Sequence, residues 1–477
     1  MSLPYQQILP FDIHPDYNRT HGRRKPGWAI LVAIAYRLCY AIGNTMSFNT
    51  VNEPVLQITR AFSGFDYFQI AFFGLALSAV WGSLHGVILP KYLLSLVDGA
   101  YKNTALAAIT LAGLGLAMAI QPIAGALSDR NGSRFGRRRP FILVGGLLSL
   151  LLLLLIGVAG SYATLFLIYC LLQMAANVAQ GPYQAFIPDL VPENHRGKAS
   201  GIKSLLEITG GILLVYLIVR PISSLDTGNG NLWLWVSLVI LGGLLFLAII
   251  ITVLGIREKP AAAKPAEPLT SVILQSFRIQ VTKSRNFLLF LFSRLFFIMA
   301  LTTLQTFTFF FIQDTHRSGN PTAATAEILL VVGIGMLISV YPAGLLSDRI
   351  GRKPLLFAAG ILGAAGILFI YFAPEFGYIL VGGGIIGICS GAFMSANWAL
   401  ATDLIAKNEE AKYLGLTNLA TAGGAALSRL IGPVIDFFNM ASPGFGYQVM
   451  LLTCFLYFVV GAALVVGIQV NRLTKAE

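Results

Sequence analysis

The chain has 477 residues, 56% of them hydrophobic and only 11% charged, whereas soluble proteins carry about 25% charged residues. That balance excludes a soluble domain and defines an all-α polytopic membrane protein. A net charge of +12 would suit nucleic acid or anionic lipid, but the basic residues lie at the edges of apolar runs, where they mark membrane topology, and no nucleic-acid partner is expected.

Residues 1–66 form an N-terminal extension without the short basic-then-apolar pattern of a cleaved signal. Within it, residues 28–48, WAILVAIAYRLCYAIGNTMSF, are apolar and preceded by Arg19, Arg23, Arg24 and Lys25. A crossing there would place those charges outside and Arg37 at mid-membrane. An interfacial amphipathic helix avoids both penalties and is the preferred reading, with a thirteenth helix beside the bundle as the alternative.

A membrane helix needs about 20 mainly apolar residues. Twelve such spans follow, at 68–95, 103–127, 140–160, 163–187, 200–221, 231–255, 286–312, 323–346, 353–373, 377–402, 413–437 and 447–471. Short loops between them make neighbouring helices antiparallel. Lys and Arg crowd the loops after the even-numbered spans and the C-terminus, while the opposite loops carry Lys102, Arg220 and Arg317. The asymmetry predicts a multi-pass protein of the cell membrane, plasma or inner, with the crowded side cytoplasmic. Residues 257–285 contain EKPAAAKPAEP, a Pro/Ala-rich tether between six-helix units at 67–256 and 286–477.

Two strings repeat. GALSDRNGSRFGRRRP (Gly125–Pro140) returns as GLLSDRIGRKP (Gly344–Pro354), and PDLVPENHRGKASGI (Pro188–Ile202) is echoed by TDLIAKNEEAKYLGL (Thr402–Leu416). The halves therefore read as parallel repeats of one bundle. In each first string a carboxylate at a helix end sits beside guanidinium groups, a pairing able to clamp one end of the bundle. The gate residues are Gly125, Asp129, Arg130, Gly136, Arg137 and Arg138 in the first copy. In the second they are Gly344, Asp348, Arg349, Gly351 and Arg352.

These two loops resemble the signature of the major facilitator superfamily over about residues 67–471. SDRNGSRFGRRRPFILVG is similar to the corresponding loop of sucrose:proton symporters, relatives of the glycoside–pentoside–hexuronide:cation symporters, and NVAQGPYQAFIPDL resembles their fourth span. The resemblance implies a major facilitator fold and alternating-access transport of a sugar or glycoside coupled to a proton or cation. In the sucrose carriers an aspartate linked to coupling lies seven residues before the Gln of Gln-Gly-Pro; here that position, counted from Gln180, is Gln173. An amide does not titrate, so another group must carry a coupled proton.

Glu207, with Lys203 four residues earlier, is the first candidate, because an intramembrane carboxylate is expensive unless paired or lining a cavity; a static pair with Lys203 is the alternative. His85 is the second. Trp81 and His85 share one helix face and suit sugar stacking and hydroxyl binding. Gln173, Asn177 and Gln180 form a polar stripe on the fourth span, suited to hydroxyl recognition or to helix–helix adhesion. Arg294 in the seventh span has no acid nearby in sequence and calls for Glu207, an anionic substrate, or escape to the cytoplasmic face. Gln305, Asn397 and Trp398 complete the binding candidates, and Arg429 and Asp436, seven apart, could share a face. Cys39, Cys170, Cys389 and Cys454 stand singly, and there is no metal-ligand spacing, Walker sequence or nucleophile elbow. No catalytic residue, metal or cofactor is expected. An exporter of amphipathic drugs or metabolites and a transporter-like protein that no longer transports are the competing readings.

Overall fold

The computed structural model describes residues 64–469 except 130, 132, 134, 193, 194, 223–230, 257, 259–283, 317, 318 and 405–409; the side chains of 220–222, 402, 410–412 and 414 are also outside the description. The 28–48 segment, Cys39, Arg130, Arg317 and nearly all of the linker therefore lie outside the described residues.

Every regular element among the described residues is helical. Eleven helices are long and apolar enough to cross a membrane: α1 Gly64–Leu93, α2 Gly99–Asp129, α3 Arg139–Val158, α4 Tyr162–Leu190, α5 Arg196–Val219, α6 Leu232–Gly255, α7 Arg285–Thr315, α8 Pro321–Ile350, α9 Arg352–Tyr371, α10 Phe376–Ala401 and α12 Phe445–Val466. The expected eleventh span exists in pieces, here together α11: Glu410–Leu427, a 3₁₀ turn at Ser428–Leu430 and Ile431–Ala441. Arg429 sits in that turn, and its guanidinium bonds back to Ala425 O and Ser428 Oγ, within its own helix. The 3₁₀ turn interrupts the α-helical ladder at this polar group.

The helix starts follow from their sequences. Ser161 accepts from Thr164 N at 3.2 Å, Ser284 from Phe287 N at 3.4 Å and Asn320 from Ala323 N at 3.0 Å, satisfying amides that a helix cannot pair internally. In the repeated loops Gly136 has φ +104° and Gly351 φ +95°, a region that side chains with a Cβ avoid. This is the physical content of the Gly before each Arg-basic-Pro.

Packing repeats as the sequence does. In the N-terminal half α1 packs on α5 and α6, α4 on α2 and α3, and α6 on α3. Shifting every number by six gives the C-terminal half: α7 on α11 and α12, α10 on α8 and α9, and α12 on α9. The halves meet along α2–α11, α5–α8 and α1–α7, the first two again exchanged by the same shift. Small residues permit the close crossings. A Cβ on Gly210 would lie 2.2 Å from Leu75 O between α5 and α1, and one on Gly387 2.2 Å from Val332 O between α10 and α8. Each half thus buries its own interfaces, and the space between halves is left for the site.

Candidate functional site

A cavity of about 600 Å³ lies between the halves, within the range of small-molecule sites (roughly 300–1,000 Å³). The N-terminal half lines it with Ser78, Trp81, His85 and Glu207; the C-terminal half with Arg294, Gln305, Trp398 and Thr421, among many Ile, Leu and Met side chains. Six expected site residues, Trp81, His85, Glu207, Arg294, Gln305 and Trp398, therefore reach one space. A π-helical turn at Leu84–Ile88 in α1 carries His85, and another at Gly210–Leu214 follows Glu207 in α5. Such turns re-aim side chains and recur at functional sites.

On the N-terminal wall the Trp81 and His85 rings stack, with centroids 5.2 Å apart. His85 Nε2 lies 2.8 Å from Tyr169 Oη, which accepts from Gln173 Nε2 at 2.7 Å. Asn177 Nδ2 donates to Gln173 O at 2.8 Å. This corrects the hydroxyl-recognition reading of the amide stripe: Gln173 and Asn177 are buried, Gln173 against α2, where a Cβ on Gly113 would lie 2.8 Å from its Cγ, and neither they nor Gln180 line the cavity. Gln173 and Asn177 satisfy each other and hold Tyr169, which holds His85. Tyr169 escaped sequence reasoning because a tyrosine in an apolar run carries no distinguishing signal.

Glu207 makes its pair with Lys203 at 3.6 Å, and the Lys203 ammonium also lies over the Tyr183 ring, 5.1 Å from its centroid. Its carboxylate packs against α1 where a Cβ on Gly74 would lie 2.6 Å from Oε1.

On the other wall Arg294 is 8% exposed. Its Nε donates to Thr421 Oγ1 at 2.8 Å, Nη1 donates to Asn397 Oδ1, and the guanidinium lies 5.3 Å from the Trp398 ring centroid. Asn397 is a support behind the wall rather than a lining residue. Glu207 and Arg294 share the cavity without pairing, and the inward position of Arg294 differs from escape to the membrane surface.

The repeated loops are not used equally. Arg138 Nη2 lies 2.5 Å from Asp129 and 3.0 Å from Asp189, while Nη1 donates to Ser128 Oγ at 2.5 Å; Arg137 adds a 2.6 Å bond to Asp189. One buried guanidinium thereby joins α2, α3 and α4. In the second copy Asp348 and Arg349 are exposed, and Arg352 bonds Asp403 and Ala399 O instead. The expected clamp through Asp348 is corrected: the pairing shared by both copies is to the carboxylate of the second repeated string.

The opposite end of the bundle holds a polar latch that the sequence reading did not anticipate. Asp436, 3% exposed, takes bonds from Asn103 Nδ2 at 2.8 Å, Thr104 N at 2.6 Å and Thr104 Oγ1 at 2.6 Å. A carboxylate of α11 thus caps the N-terminus of α2 across the halves. Lys102 Nζ meets Asp314 at 2.6 Å, and Tyr447 Oη donates to Asp314 at 2.6 Å. Asp436 was expected to share a face with Arg429; the break in α11 separates their roles. Its acid in an apolar span was the available signal. Buried Phe311, Met450 and Leu451 line the cavity on the side of this latch, and Trp398, 43% exposed, lines it toward the repeated loops.

Two pseudo-equivalent six-helix halves around a central cavity, tied at one end, define the major facilitator fold. The chain belongs to the MFS/sugar transport protein family, whose model matches residues 70–471. It is similar to the general alpha-glucoside permease of Schizosaccharomyces pombe, 30% identical over 44% of this chain and 40% of that protein. Sucrose transport protein SUC3 of Arabidopsis thaliana is 32% identical over 22% of this chain and 21% of its own length. The chain spans only part of the length of curated relatives it matches: 31% of the inner membrane transport protein YajR of Escherichia coli and 15% of the human proton-associated sugar transporter A. Among solved structures, a D-xylose-proton symporter superposes with a TM-score of 0.66 over 86% of this chain and 99% of that chain at 15% identity, a likeness of fold.

Proposed function

We propose that this chain is a secondary active transporter that carries a sugar or glycoside by alternating access, driven by a proton or cation gradient. The observation that carries the reading is the cavity between the repeated halves, with an indole on each wall (Trp81 and Trp398) and polar groups between apolar side chains. Indole faces suit the apolar faces of sugar rings, and Gln305, Ser390 and Thr421 offer hydroxyl partners. Family membership and the α-glucoside and sucrose transport named for two relatives support the same substrate class.

The halves occupy 67–256 and 286–477, joined by 257–285. The protein lies in the cell membrane with both repeated loops and the C-terminus cytoplasmic, as the Lys/Arg distribution supports. With the latch then on the outer side and Trp398 toward the inner, this is an inward-facing form. Glu207 is the proton-coupling residue, its carboxylate alternating between Lys203 and a proton as the halves rock; His85, wired to Tyr169, is the second candidate.

Glu207→Gln tests the coupling. It should abolish gradient-driven uptake while leaving counterflow exchange intact, and equal loss of both would remove Glu207 from the proton path. Sugar-dependent alkalinisation of the medium by cells making the protein tests the wider reading; its absence across mono- and disaccharides would count against symport. The many apolar lining side chains favour one second reading, export of amphipathic compounds, which predicts efflux of a hydrophobic dye that glycosides do not inhibit.

A further inference from the structure

Tyr183 of α4 stands behind Glu207 and does not itself line the cavity. It is 3% exposed, with its ring packed against Phe73 and Phe186 at centroid distances of 5.1 and 6.3 Å. Its hydroxyl accepts from the Gly74 amide at 3.1 Å and donates to Ala71 O at 3.4 Å. Both bonds go to α1, so the phenol oxygen is fixed against that helix. Gly74 lets Glu207 reach the same place. A Cβ there would lie 2.5 Å from Tyr183 Oη, 2.6 Å from Glu207 Oε1 and 2.9 Å from Glu207 Cγ. The phenol oxygen and the carboxylate therefore face one notch that a side chain at position 74 would fill. The titratable groups facing Glu207 are Lys203 on its own helix, Tyr183 from α4 and, across the cavity, His85 on α1 and Arg294 on α7.

A carboxylate and a carboxylic acid need different neighbours. The ionised form only accepts, and the Lys203 ammonium at 3.6 Å serves it. The neutral acid carries an O–H that requires an acceptor, and an ammonium has none to offer. Tyr183 Oη does: its own proton is directed at Ala71 O, and among the described residues only the Gly74 amide donates to it. We propose that Tyr183 is a positioning residue for proton coupling, its hydroxyl oxygen accepting the hydrogen bond of the protonated Glu207 carboxyl once that group leaves Lys203. This rests on the reading of Glu207 as the proton carrier and supplies the neutral acid with a partner. The proton stays on Glu207 throughout, and Tyr183 keeps its own. An acid O–H held away from water without an acceptor is costly, so this second seat lets Glu207 keep its proton while the halves change over.

The test is infrared difference spectroscopy of the purified full chain in liposomes, titrated across the carboxyl and histidine range. A protonated carboxyl has a carbonyl stretch distinct from that of a carboxylate, and the part lost in Glu207→Gln is the Glu207 signal. In Tyr183→Phe that signal should move to higher wavenumber, the mark of an acid that has lost its hydrogen bond. At the pH where the parent is half protonated, the ratio of protonated to ionised Glu207 should fall about two- to tenfold, the effect of one neutral hydrogen bond. A packing role for Tyr183 would lower transport without moving this band. Gly74→Ala fills the notch but keeps the hydroxyl; it should move the band in the same direction, and it decides the matter if Tyr183→Phe is not monodisperse. A Glu207 band of parental position and intensity in the deciding variant overturns the seat and leaves Glu207 as the proton carrier. A spectrum that Glu207→Gln leaves unchanged at every pH overturns both.

Discussion

Arg138 and Asp348 occupy related loops and carry unequal weight. Arg138 is buried and joins Asp129 and Asp189, whose side chains are 55% and 29% exposed, so Arg138→Ala unties α2, α3 and α4 while Asp189 keeps its bond to Arg137. Losing hydrogen bonds to charged groups costs about 1.5–3 kcal/mol, and thermal unfolding in detergent should drop by several degrees. Asp348 is exposed, and Asp348→Ala should change stability by less than about 0.5 kcal/mol, as surface substitutions do. Equal losses in the two variants would show that the clamp works the same way in both copies. Which residue types matter was legible at this scale: Trp81, His85, Glu207, Arg294, Gln305 and Trp398 all reach the cavity because polar groups in apolar spans have few other stable places. Which partners they choose was not legible. Gln173 and Asn177 satisfied each other within α4, and Arg352 took Asp403, because hydrogen bonds are settled by neighbours that lie far away along the chain.

The helices themselves follow their sequences to within a few residues, since about 20 apolar residues must satisfy every backbone group internally. The exception is α11, where Ser428, Arg429 and Leu430 interrupt the helix. Apolar composition predicts a crossing but not a 3₁₀ turn within it. Close helix crossings also follow a local rule at Gly210, whose added Cβ would meet Leu75 O at 2.2 Å. Gly210→Ala should destabilise by about 1–3 kcal/mol through overpacking and disturb Glu207, which packs on α1 one turn earlier. Gly243→Ala, where nothing lies within 4 Å, should be neutral or slightly stabilising through its better helix propensity. Thermal unfolding of the two variants measures the contrast; a similar fall in both would mean that the α1–α5 crossing tolerates a methyl group.

For the whole molecule, the arrangement of the halves turns on the latch at the end away from the repeated loops. Asp436→Ala leaves the Thr104 amide and hydroxyl without their acceptor and the Asn103 side chain with Tyr447 Oη alone, a loss of about 2–3 kcal/mol or roughly 30- to 100-fold in the equilibrium that keeps this end shut. With Thr308→Cys placed in the cavity wall of a cysteine-free background, a membrane-impermeant maleimide added from the latch side should label Asp436→Ala faster than its parent. Unchanged labelling would mean that Lys102–Asp314 and Tyr447 close this end without Asp436. The duplication, the twelve crossings and the charge asymmetry between the two sides belong to the sequence alone, because helix length, local charge and repeated strings are properties of contiguous residues. The cavity, the neutral cradle around Arg294 and the carboxylate of α11 capping α2 belong to the tertiary structure. Each joins residues far apart in sequence, and electrostatic and hydrogen-bond partners are chosen by distance in space.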